Sequence, residues 1–158
     1  MNINIRQGEK KDLPALLSLI KELADYEKSP DAVTNTLEML EKDGFGQKKI
    51  FDFLVADVEN EIAGIALYYP KYSTWKGRGI YLDDIIVTEK YRRQGIGKLL
   101  FDEVVRIGKS EDAKLIWWQV LEWNSPAINF YNKYQSELEA GWLNCRLTED
   151  QIKQFESK

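Results

Sequence analysis

Apolar positions recur along the first third of the chain with spacings typical of one strand and two helices. Residues 3–6 alternate between apolar and polar side chains, which predicts a short strand. Apolar residues then recur at helical spacing over residues 13–27, with Asp12 as a candidate cap and Pro14 at the second helical position. A weaker helical pattern covers residues 33–42. The chain is therefore expected to begin as strand, helix, helix.

The next segment has the apolar runs of three successive strands. These runs cover residues 51–57, 61–70 and 80–88. Glu59 and Asn60 predict a hairpin turn between the first two strands, and residues 72–79 predict a loop before the third. The third run is the strongest strand pattern, and it is apolar apart from Asp83 and Asp84.

Helices and strands alternate in the last third of the chain. Helical patterns cover residues 95–108 and 126–134, strand patterns cover 115–121 and 142–147, and Thr148 with Gln151 can form a capping box for a terminal helix. Antiparallel hairpins thus come first and a strand–helix–strand crossover follows. The order β-α-α-β-β-β-α-β-α-β-α predicts a mixed α/β fold. Without a linker, repeat or low-complexity segment, one domain over residues 1–158 is expected.

Amino-acid composition indicates the class of protein and the cellular compartment in which it is expected. With 158 residues, 44% apolar and 30% charged, the chain is expected to be a soluble domain with a real core. Its apolar runs are too short for a membrane span, and its N-terminus lacks the apolar core of a signal peptide. Cys145 is the only cysteine, so no internal disulfide can form and a cytoplasmic location is expected.

The chain contains no histidine, which excludes several catalytic classes. Ser-His and Cys-His nucleophile pairs, imidazole zinc sites and histidine acid–base chemistry are ruled out. Catalysis must use carboxylates, Tyr, Lys, Cys, backbone groups or water, and no metal is implied. The net charge of −4 without a basic tract argues against nucleic acid as a partner. It suits a cationic small substrate, although it is also ordinary for a soluble protein.

A pair of glycines lies between the strongest strand pattern and the following helix pattern. Gly95 and Gly97 allow a ligand to approach the free N–H groups of a helix N-terminus. Two common phosphate motifs fail, because G-x-x-x-x-G-K-[ST] is absent and Leu100 replaces the third glycine of G-x-G-x-x-G. A plain strand-to-helix turn and an anion site both fit the spacing. Arg92 and Arg93 favour the anion, since the positive end of a helix dipole otherwise repels arginine.

The segment Arg92-x-x-Gly95-x-Gly97 resembles the acetyl-CoA motif [QR]-x-x-G-x-[GA] of the GNAT family of N-acetyltransferases. Other motifs resemble one subgroup, the spermidine/spermine N1-acetyltransferases (diamine acetyltransferases) and the related thialysine acetyltransferases. These motifs are Ile20-Lys21-Glu22-Leu23-Ala24 with Tyr26-Glu27, Asp43-Gly44-Phe45-Gly46, Leu54-Val55-Ala56, Tyr81-Leu82-Asp83-Asp84, Glu122-Trp123-Asn124 with Pro126, and Ile128-Asn129-Phe130-Tyr131. The resemblance spans about residues 5–145. It implies the GNAT acyl-CoA N-acyltransferase fold, an α/β (α+β) fold whose mostly antiparallel sheet has a splayed central strand pair flanked by helices.

The resemblance implies acetyl-CoA as the acetyl donor and assigns three segments to bind it. The pyrophosphate would lie on the backbone of the glycine turn, and the pantetheine arm would pair with the preceding strand. The start of the next helix would close over the cofactor. The implied cofactor-binding residues are Ile85, Ile86, Val87, Arg93, Gln94, Gly95, Ile96, Gly97, Lys98, Asn124, Ala127 and Tyr131.

The resemblance also assigns the catalytic roles. Tyr131 falls on the family's general acid, which protonates the departing thiolate, whereas helical spacing alone would place Tyr131 in the core. Asp83 falls on a glutamate that deprotonates the amine, although its side chain is one methylene shorter. Asp84 matches an acid that attracts the cationic substrate; a strand-end salt bridge is the structural alternative for the pair. Strand alternation sends Asp83 and Asp84 to opposite faces, so a shared site requires a distorted strand or a contribution across a dimer.

Further positions match substrate contacts of the subgroup. The implied substrate-binding residues are Tyr26, Glu27, Asp83, Asp84, Trp117, Trp118 and Gln119. Glu139 lies one position too early before the Gly141-Trp142 pair, and the turn after Tyr131 is shorter than in the family. The acceptor is therefore expected to be a small primary amine, polyamine-like or alternatively thialysine, another amino-acid amine or a protein lysine. A non-catalytic acyl-CoA-binding module is the alternative from a different functional class. The resemblance to the subgroup also implies a homodimer.

Overall fold

The computed structural model describes residues 2–156, which divide into two compact units, one ending at Gln119 and one beginning at Val120. The strands and α-helices of the first unit are β1 (Ile3–Gln7), α1 (Leu13–Tyr26), α2 (Leu37–Phe45), β2 (Asp52–Val58), β3 (Glu61–Ser73), β4 (Gly77–Val87), α3 (Ile96–Ser110) and β5 (Ile116–Trp117). The mixed α/β class is confirmed, and the assignment of one domain over residues 1–158 stays a prediction. No helix within residues 2–156 has the length and apolar character that crossing a membrane requires.

The five strands form one sheet in the order β1-β2-β3-β4-β5. Neighbouring strands are antiparallel except β4 and β5, which run parallel and are connected through α3. The predicted hairpin turn is confirmed, because Glu59 and Asn60 have the positive φ angles, 51° and 68°, that a two-residue turn between twisted strands requires. The loop predicted over residues 72–79 is wrong. β3 continues to Ser73 and β4 begins at Gly77, and the Ser73 hydroxyl accepts hydrogen bonds from two N–H groups of the short turn between them.

Helices cover both faces of the sheet. On one face, α1 and α2 pack over a core that includes Leu16, Phe53 and Ile65. Gly64 precedes Ile65 on β3 and therefore points to the other face. A Cβ at Gly64 would lie 3.2 Å from Leu100 Cδ1, which places α3 on that second face. The two central strands, β3 and β4, are thus supported from both sides.

One helix start and one helix cap differ from the sequence-based expectation for reasons of local hydrogen bonding. The helix predicted over residues 33–42 is displaced to α2, because the Thr36 hydroxyl caps it by accepting from the N–H three residues later at 3.2 Å. Asp12 precedes α1 as expected, yet its side chain does not cap that helix. Its carboxylate instead accepts hydrogen bonds from the Arg6 guanidinium at 2.7 Å and from the Glu9 N–H at 2.8 Å.

The second unit contains two short helices, α4 (Ser125–Asn132) and α5 (Glu149–Lys153). The predicted capping box is confirmed: Thr148 N donates to Gln151 Oε1 at 2.8 Å, and Gln151 N donates to Thr148 Oγ1 at 3.3 Å. The strand predicted over residues 142–147 is wrong. Within residues 2–156 no strand pairs with this segment, and apolar side chains such as Leu143 are exposed there. Alternating apolar residues do not make a strand without a partner for its backbone groups.

Candidate functional site

A β-bulge in β4 brings two adjacent acids to the same face of the sheet. Leu67 pairs with Asp84, but the next residue of β3 pairs with Leu82, so Asp83 is an extra residue in the ladder. Cross-strand partners share a face, and Leu67 belongs to the core under α1, so Asp84 points to that side. Asp83 points there too, because it accepts a hydrogen bond at 3.1 Å from the hydroxyl of Tyr69, which shares a face with Leu67. The structure therefore contains the strand distortion that a shared acid site requires.

Three carboxylates influence one another on this face, and we call Glu27, Asp83 and Asp84 the acid cluster. Asp84 is half-buried, and burial, together with the negative charges of Asp83 and Glu27, raises its pKa to about 7. Burial also raises the pKa of Glu27, just after α1. Among residues 2–156, no lysine or arginine forms an ion pair with any member of the cluster. A bound cation would offset this concentrated negative charge.

Aromatic rings flank the acid cluster on the same face. Tyr69 and Tyr81 are cross-strand partners, and their rings stack with centroids 5.4 Å apart. Trp117 of β5 pairs with Tyr81 and extends the aromatic surface. Lys71 Nζ lies over both, 4.9 Å from the Tyr81 ring centre and 4.8 Å from that of Trp117. Burial and then the Asp83 charge raise the pKa of Tyr69, which keeps its hydroxyl protonated as a donor to Asp83.

The pairing of β4 with β5 ends early and leaves one edge of β4 open. Within the described residues, the ladder ends at the pair Tyr81–Trp117. The later residues Ile85, Ile86 and Val87 have no strand beside them on that side. Ile86 belongs to the core under α1, so its neighbours Ile85 and Val87 point to the α3 face. The splayed strand pair is confirmed, and it offers backbone groups to an extended ligand.

The glycine turn at the start of α3 is also open. Gly95 is the N-cap residue and has a φ of +82°, a left-handed conformation that favours glycine. No side chain caps the helix, and a Cβ at Gly95 would have no neighbouring atom within 4 Å. A Cβ at Gly97 would meet only Val87 Cγ2, at 3.8 Å. The turn therefore has the uncapped N–H groups and the clear approach that an anion such as a diphosphate needs.

Side chains of the glycine turn divide into exposed and buried ones. Arg93, Gln94 and Lys98 are exposed, and Arg93 has a positive φ of 63°. Ile96 is buried, so only its backbone is available to a ligand. The Lys98 ammonium is paired with Asp102, so the turn can present the Arg93 guanidinium and a run of backbone N–H groups to one anion.

Arg92 is part of the scaffold and does not belong to the open turn. Its Nε donates to the Val87 carbonyl at 2.9 Å, and its guanidinium donates to Glu22 of α1 at 3.2 Å. The same guanidinium lies 5.2 Å from the centre of the Tyr26 ring. Glu22 also accepts from the Glu89 N–H at 2.9 Å. The donors of Arg92 therefore hold the end of β4 against α1 and position Tyr26, so among the two arginines only Arg93 extends from the open turn.

The second unit holds the remaining predicted residues. Asn124 caps α4, with its Oδ1 accepting from the Ala127 N–H at 3.3 Å. Tyr131 is only 5% exposed, and its ring packs edge-on against that of Phe130, with centroids 5.1 Å apart. Burial raises the pKa of Tyr131 to about 12, so its hydroxyl is protonated at neutral pH. The cofactor contacts of Asn124 and Ala127 and the catalytic role of Tyr131 stay predictions.

The structure brings together only part of the predicted substrate set. Tyr26, Glu27, Asp83, Asp84 and Trp117 lie on or beside the α1 face of the sheet. Trp118 instead packs edge-on against Phe101 of α3 at 5.3 Å, and Gln119 is exposed at the end of the first unit. The substrate contacts of Trp118 and Gln119 stay predictions.

Sequence reasoning misses Tyr69 and Lys71. Both residues fall in a segment whose apolar pattern is fading, and nothing in their spacing marks them as functional. Only the cross-strand register places Tyr69 next to Asp83 and Lys71 next to Tyr81. A hairpin drawn outwards from the turn at residues 74–76 could have found the first part of that register, but not the bulge.

Comparisons with known proteins agree with this geometry. A model of the "Acetyltransferase (GNAT) family" matches residues 15–135. The bovine protein "Thialysine N-epsilon-acetyltransferase" is 36% identical over 167 residues, which cover 99% of this chain and 98% of that protein. The human "Spermidine/spermine N(1)-acetyltransferase-like protein 1" is 33% identical over 94% of this chain and 23% of its own length. A crystal structure of an aminoglycoside acetyltransferase from an uncultured soil metagenomic sample superposes with a TM-score of 0.75 at 22% identity, covering 92% of this chain and 95% of that one. The last likeness concerns the fold alone.

Proposed function

The chain belongs to the acetyltransferase (GNAT) family and takes its acetyl group from acetyl-CoA, and from this premise we propose that it acetylates a primary amine of a small cationic acceptor. The amine attacks directly in a ternary complex of enzyme, donor and acceptor. The observation that carries the proposal is the acid cluster, which the bulge in β4 assembles on one face of the sheet. A half-buried carboxylate, Asp84, beside the exposed carboxylate of Asp83, with no cationic partner for either in the described chain, is suited to an ammonium group.

The acid cluster has two tasks, to bind the acceptor as an ammonium and to remove its proton. A lysine-like amine has a pKa of about 10.4, so it arrives charged at neutral pH. Asp84, with its pKa raised to about 7 by burial, is suited to act as general base, directly or through a water. The Asp83 carboxylate is engaged by the Tyr69 hydroxyl and is suited to orient the ammonium. We therefore assign deprotonation to Asp84 and orientation to Asp83, the reverse of the roles that sequence reasoning gives them.

The glycine turn and the open edge of β4 fit acetyl-CoA. Its diphosphate requires uncapped N–H groups with close backbone approach, which Gly95, Ile96 and Gly97 offer. The amide groups of its pantetheine arm require a strand edge, which Ile85 and the N–H of Val87 offer, since the Val87 carbonyl already accepts from Arg92 Nε. When bound, acetyl-CoA supplies a thioester carbonyl for the amine to attack. Arrangement of donor and acceptor then does most of the catalytic work.

Tyr131 is proposed as the proton donor to the departing thiolate. Its phenol has a pKa raised to about 12 by burial, so it carries a proton throughout the physiological range. A thiol has a pKa of about 8.5, so the thiolate is a good leaving group, and a hydrogen bond from the Tyr131 hydroxyl with partial proton transfer is enough to stabilise it as it departs. Asn124 and Ala127 at the start of the same helix are proposed to close over the cofactor.

The relatives support two classes of acceptor. Bovine and porcine relatives named for thialysine support an amino acid with a side-chain amine, and the human relative named for spermidine and spermine supports a polyamine. Protein lysine is a further acceptor with the same chemistry. A non-catalytic acyl-CoA-binding module is less well supported, because such a module has no need of an acid cluster that forms no ion pair with a cation of residues 2–156.

We also propose a homodimer in the cytoplasm. Apolar side chains of the second unit are exposed, among them Trp142, Leu143 and Phe155, and a second copy of the chain would cover them. A light-scattering mass near 18.4 kDa, the mass of one chain, would contradict the dimer. The cytoplasmic location rests on Cys145, the only cysteine of the sequence and an exposed thiol in the structure.

The proposal is tested by separating cofactor binding from turnover. Acetyl-CoA should raise the melting temperature of the purified protein. Saturated with acetyl-CoA, the protein should release thiol only when an acceptor is added, with spermidine, spermine, thialysine, lysine and a lysine peptide as the panel. Asp84→Asn should keep the thermal shift and lose most of the acceptor-dependent release.

Each contradictory outcome has its own meaning. No thermal shift at saturating acetyl-CoA would overturn the assignment of the glycine turn. A normal shift without acceptor-dependent release from any amine would favour the non-catalytic module. Unchanged turnover by Asp84→Asn would overturn the role of the acid cluster while leaving the cofactor site intact.

A further inference from the structure

Lys71 is a cation that contacts aromatic rings and no carboxylate among the described residues. Its Nζ lies 4.9 Å from the Tyr81 ring centre and 4.8 Å from that of Trp117. Within residues 2–156 its ammonium forms no ion pair, whereas seven other lysines of this part of the chain do. The cation is therefore held by aromatic rings and keeps its hydrogen-bonding capacity for another anion.

A glycine makes this arrangement possible. Gly79 is the cross-strand partner of Lys71, and a Cβ at Gly79 would lie 2.3 Å from Cζ3 of Trp117. The Trp117 ring therefore lies across the backbone of Gly79, where any larger residue would displace it. Lys71 then extends over a flat surface formed by Trp117 and Tyr81, which restricts the positions of its ammonium.

Lys71 lies on the same face as the acid cluster. Leu67, Tyr69 and Lys71 are alternate residues of β3, so they share the face that Asp83 and Asp84 occupy. Successive same-face residues of a strand are about 7 Å apart. Lys71 is attached roughly one strand repeat along β3 from Tyr69, whose hydroxyl donates to Asp83 at 3.1 Å. The face thus presents negative and positive charge side by side, in the pattern that complements a zwitterion.

We infer that Lys71 determines acceptor specificity by binding a carboxylate of the acceptor, so that the preferred acceptor is an amino acid with a side-chain amine rather than a polyamine. The inference rests on the proposed function, because it takes the acid cluster as the site of the reacting amine. The amine of such an acceptor binds at Asp83 and Asp84, and its carboxylate pairs with the Lys71 ammonium. A diamine or polyamine would place its second ammonium near Lys71, and like charges at that distance repel.

The discriminating experiment uses two acceptors that differ only in the carboxylate, lysine and cadaverine (1,5-diaminopentane). Values of kcat/KM are measured for both with acetyl-CoA at saturation. Wild-type enzyme should prefer lysine, and Lys71→Met should lower the lysine-to-cadaverine ratio about fivefold, as the loss of one solvent-exposed ion pair predicts. The change should lie in KM for lysine rather than in kcat, since the carboxylate contact is the same in the ground and transition states.

Two further variants make the result specific. Lys71→Arg keeps the charge and should retain the lysine preference within about twofold. Lys76→Met removes an exposed lysine from the turn of the same hairpin and should leave the ratio unchanged. Melting temperatures of all variants show that each protein is folded.

The outcomes separate this inference from the proposed function. An unchanged ratio in Lys71→Met, or a wild-type preference for cadaverine, overturns the specificity role of Lys71 while acetyl transfer to small amines stands. If the lysine-to-cadaverine ratio falls equally in Lys76→Met, the effect comes from net charge, and the specificity role of Lys71 is also overturned. If wild-type enzyme acetylates neither amine, the proposed acceptor class fails and this inference fails with it.

Discussion

Asp84→Asn should stabilise the fold and remove activity at the same time. Burial, with the charges of Asp83 and Glu27, raises the pKa of Asp84 to about 7, compared with 3.8 for an exposed aspartate. Between these two values the folded state binds more protons than the unfolded state. The free energy of unfolding of the wild type must therefore fall as the pH rises from about 4 to about 7, and the loss is complete above pH 7. The Asn variant, which cannot ionise, lacks this loss.

The size of the effect follows from the two pKa values. A rise from 3.8 to about 7 corresponds to about 4 kcal/mol of free energy. Water reaches the half-buried side chain and screens part of this cost, and the new amide needs hydrogen-bond partners of its own. We therefore expect Asp84→Asn to be more stable than wild type by about 2 kcal/mol at pH 8, and by less than about 0.5 kcal/mol at pH 4.

Urea unfolding, followed by tryptophan fluorescence at a series of pH values from about 4 to 9, measures the difference directly. Asp25→Asn is the matched control, because Asp25 is an exposed carboxylate on α1 and the same substitution there should change stability by less than about 0.5 kcal/mol throughout. A difference between wild type and Asp84→Asn that does not vary with pH would refute the reasoning. So would an Asn variant that is less stable than wild type at pH 8.

The same titration has a kinetic counterpart. Wild-type kcat/KM should rise with pH through about 7, as Asp84 loses its proton and becomes able to accept one from the acceptor. Asp84→Asn should have low turnover without this step. A variant that is more stable but less active would show that the protein retains the destabilising carboxylate of Asp84 because catalysis requires it.

Two further predictions concern the other parts of the proposed site. Tyr131→Phe should lower kcat by about two orders of magnitude with little change in acetyl-CoA affinity, because only the proposed proton donor is lost; near-normal turnover would exclude that role. Gly95→Ala should lower the free energy of unfolding by about 1 kcal/mol and weaken acetyl-CoA binding in calorimetric titration, because an L-residue is strained at a φ of +82°. Gly97→Ala is the control for stability, since its Cβ would meet only Val87 Cγ2 at 3.8 Å; an equal loss of stability in both variants would contradict the explanation by strain.

Secondary structure was predictable from the sequence where burial of one face decides the pattern. α1 and α3 each bury one apolar stripe, so their periodicity located them within a few residues. The outer part of the β3–β4 hairpin was not predictable, because residues such as Lys71 and Arg78 face solvent and leave no alternation to recognise. The prediction for residues 142–147 was wrong for the opposite reason. Their apolar residues suggest a strand, but no strand in the described chain pairs with them.

Candidate residues of the site were easier to predict than their roles. The resemblance pointed to Asp83 and Asp84, yet it could not say which of them is buried, because burial depends on the exact register of β4 against β3. Arg92 matched the cofactor motif, but its guanidinium donates hydrogen bonds to the Val87 carbonyl and to Glu22. A sequence motif specifies which residue types occur at which spacing. The hydrogen-bond partner of a long side chain such as Arg92 depends instead on which helices and strands pack against each other.

One extra residue in β4 accounts for both halves of the proposed site. Before the bulge, Ile80 N donates to Leu115 O, so even-numbered residues direct their backbone groups towards β5. After Asp83 the alternation is inverted, and Thr88 N donates instead to Ala63 O, next to β3. Ile85 and Val87 must therefore direct their backbone groups to the open edge, where the pantetheine arm is proposed to bind. The same inversion turns the Asp84 side chain to the face of Asp83. Without the bulge, Asp83 and Asp84 would lie on opposite faces of the sheet, and the open edge would present the backbone groups of the alternate residues of β4.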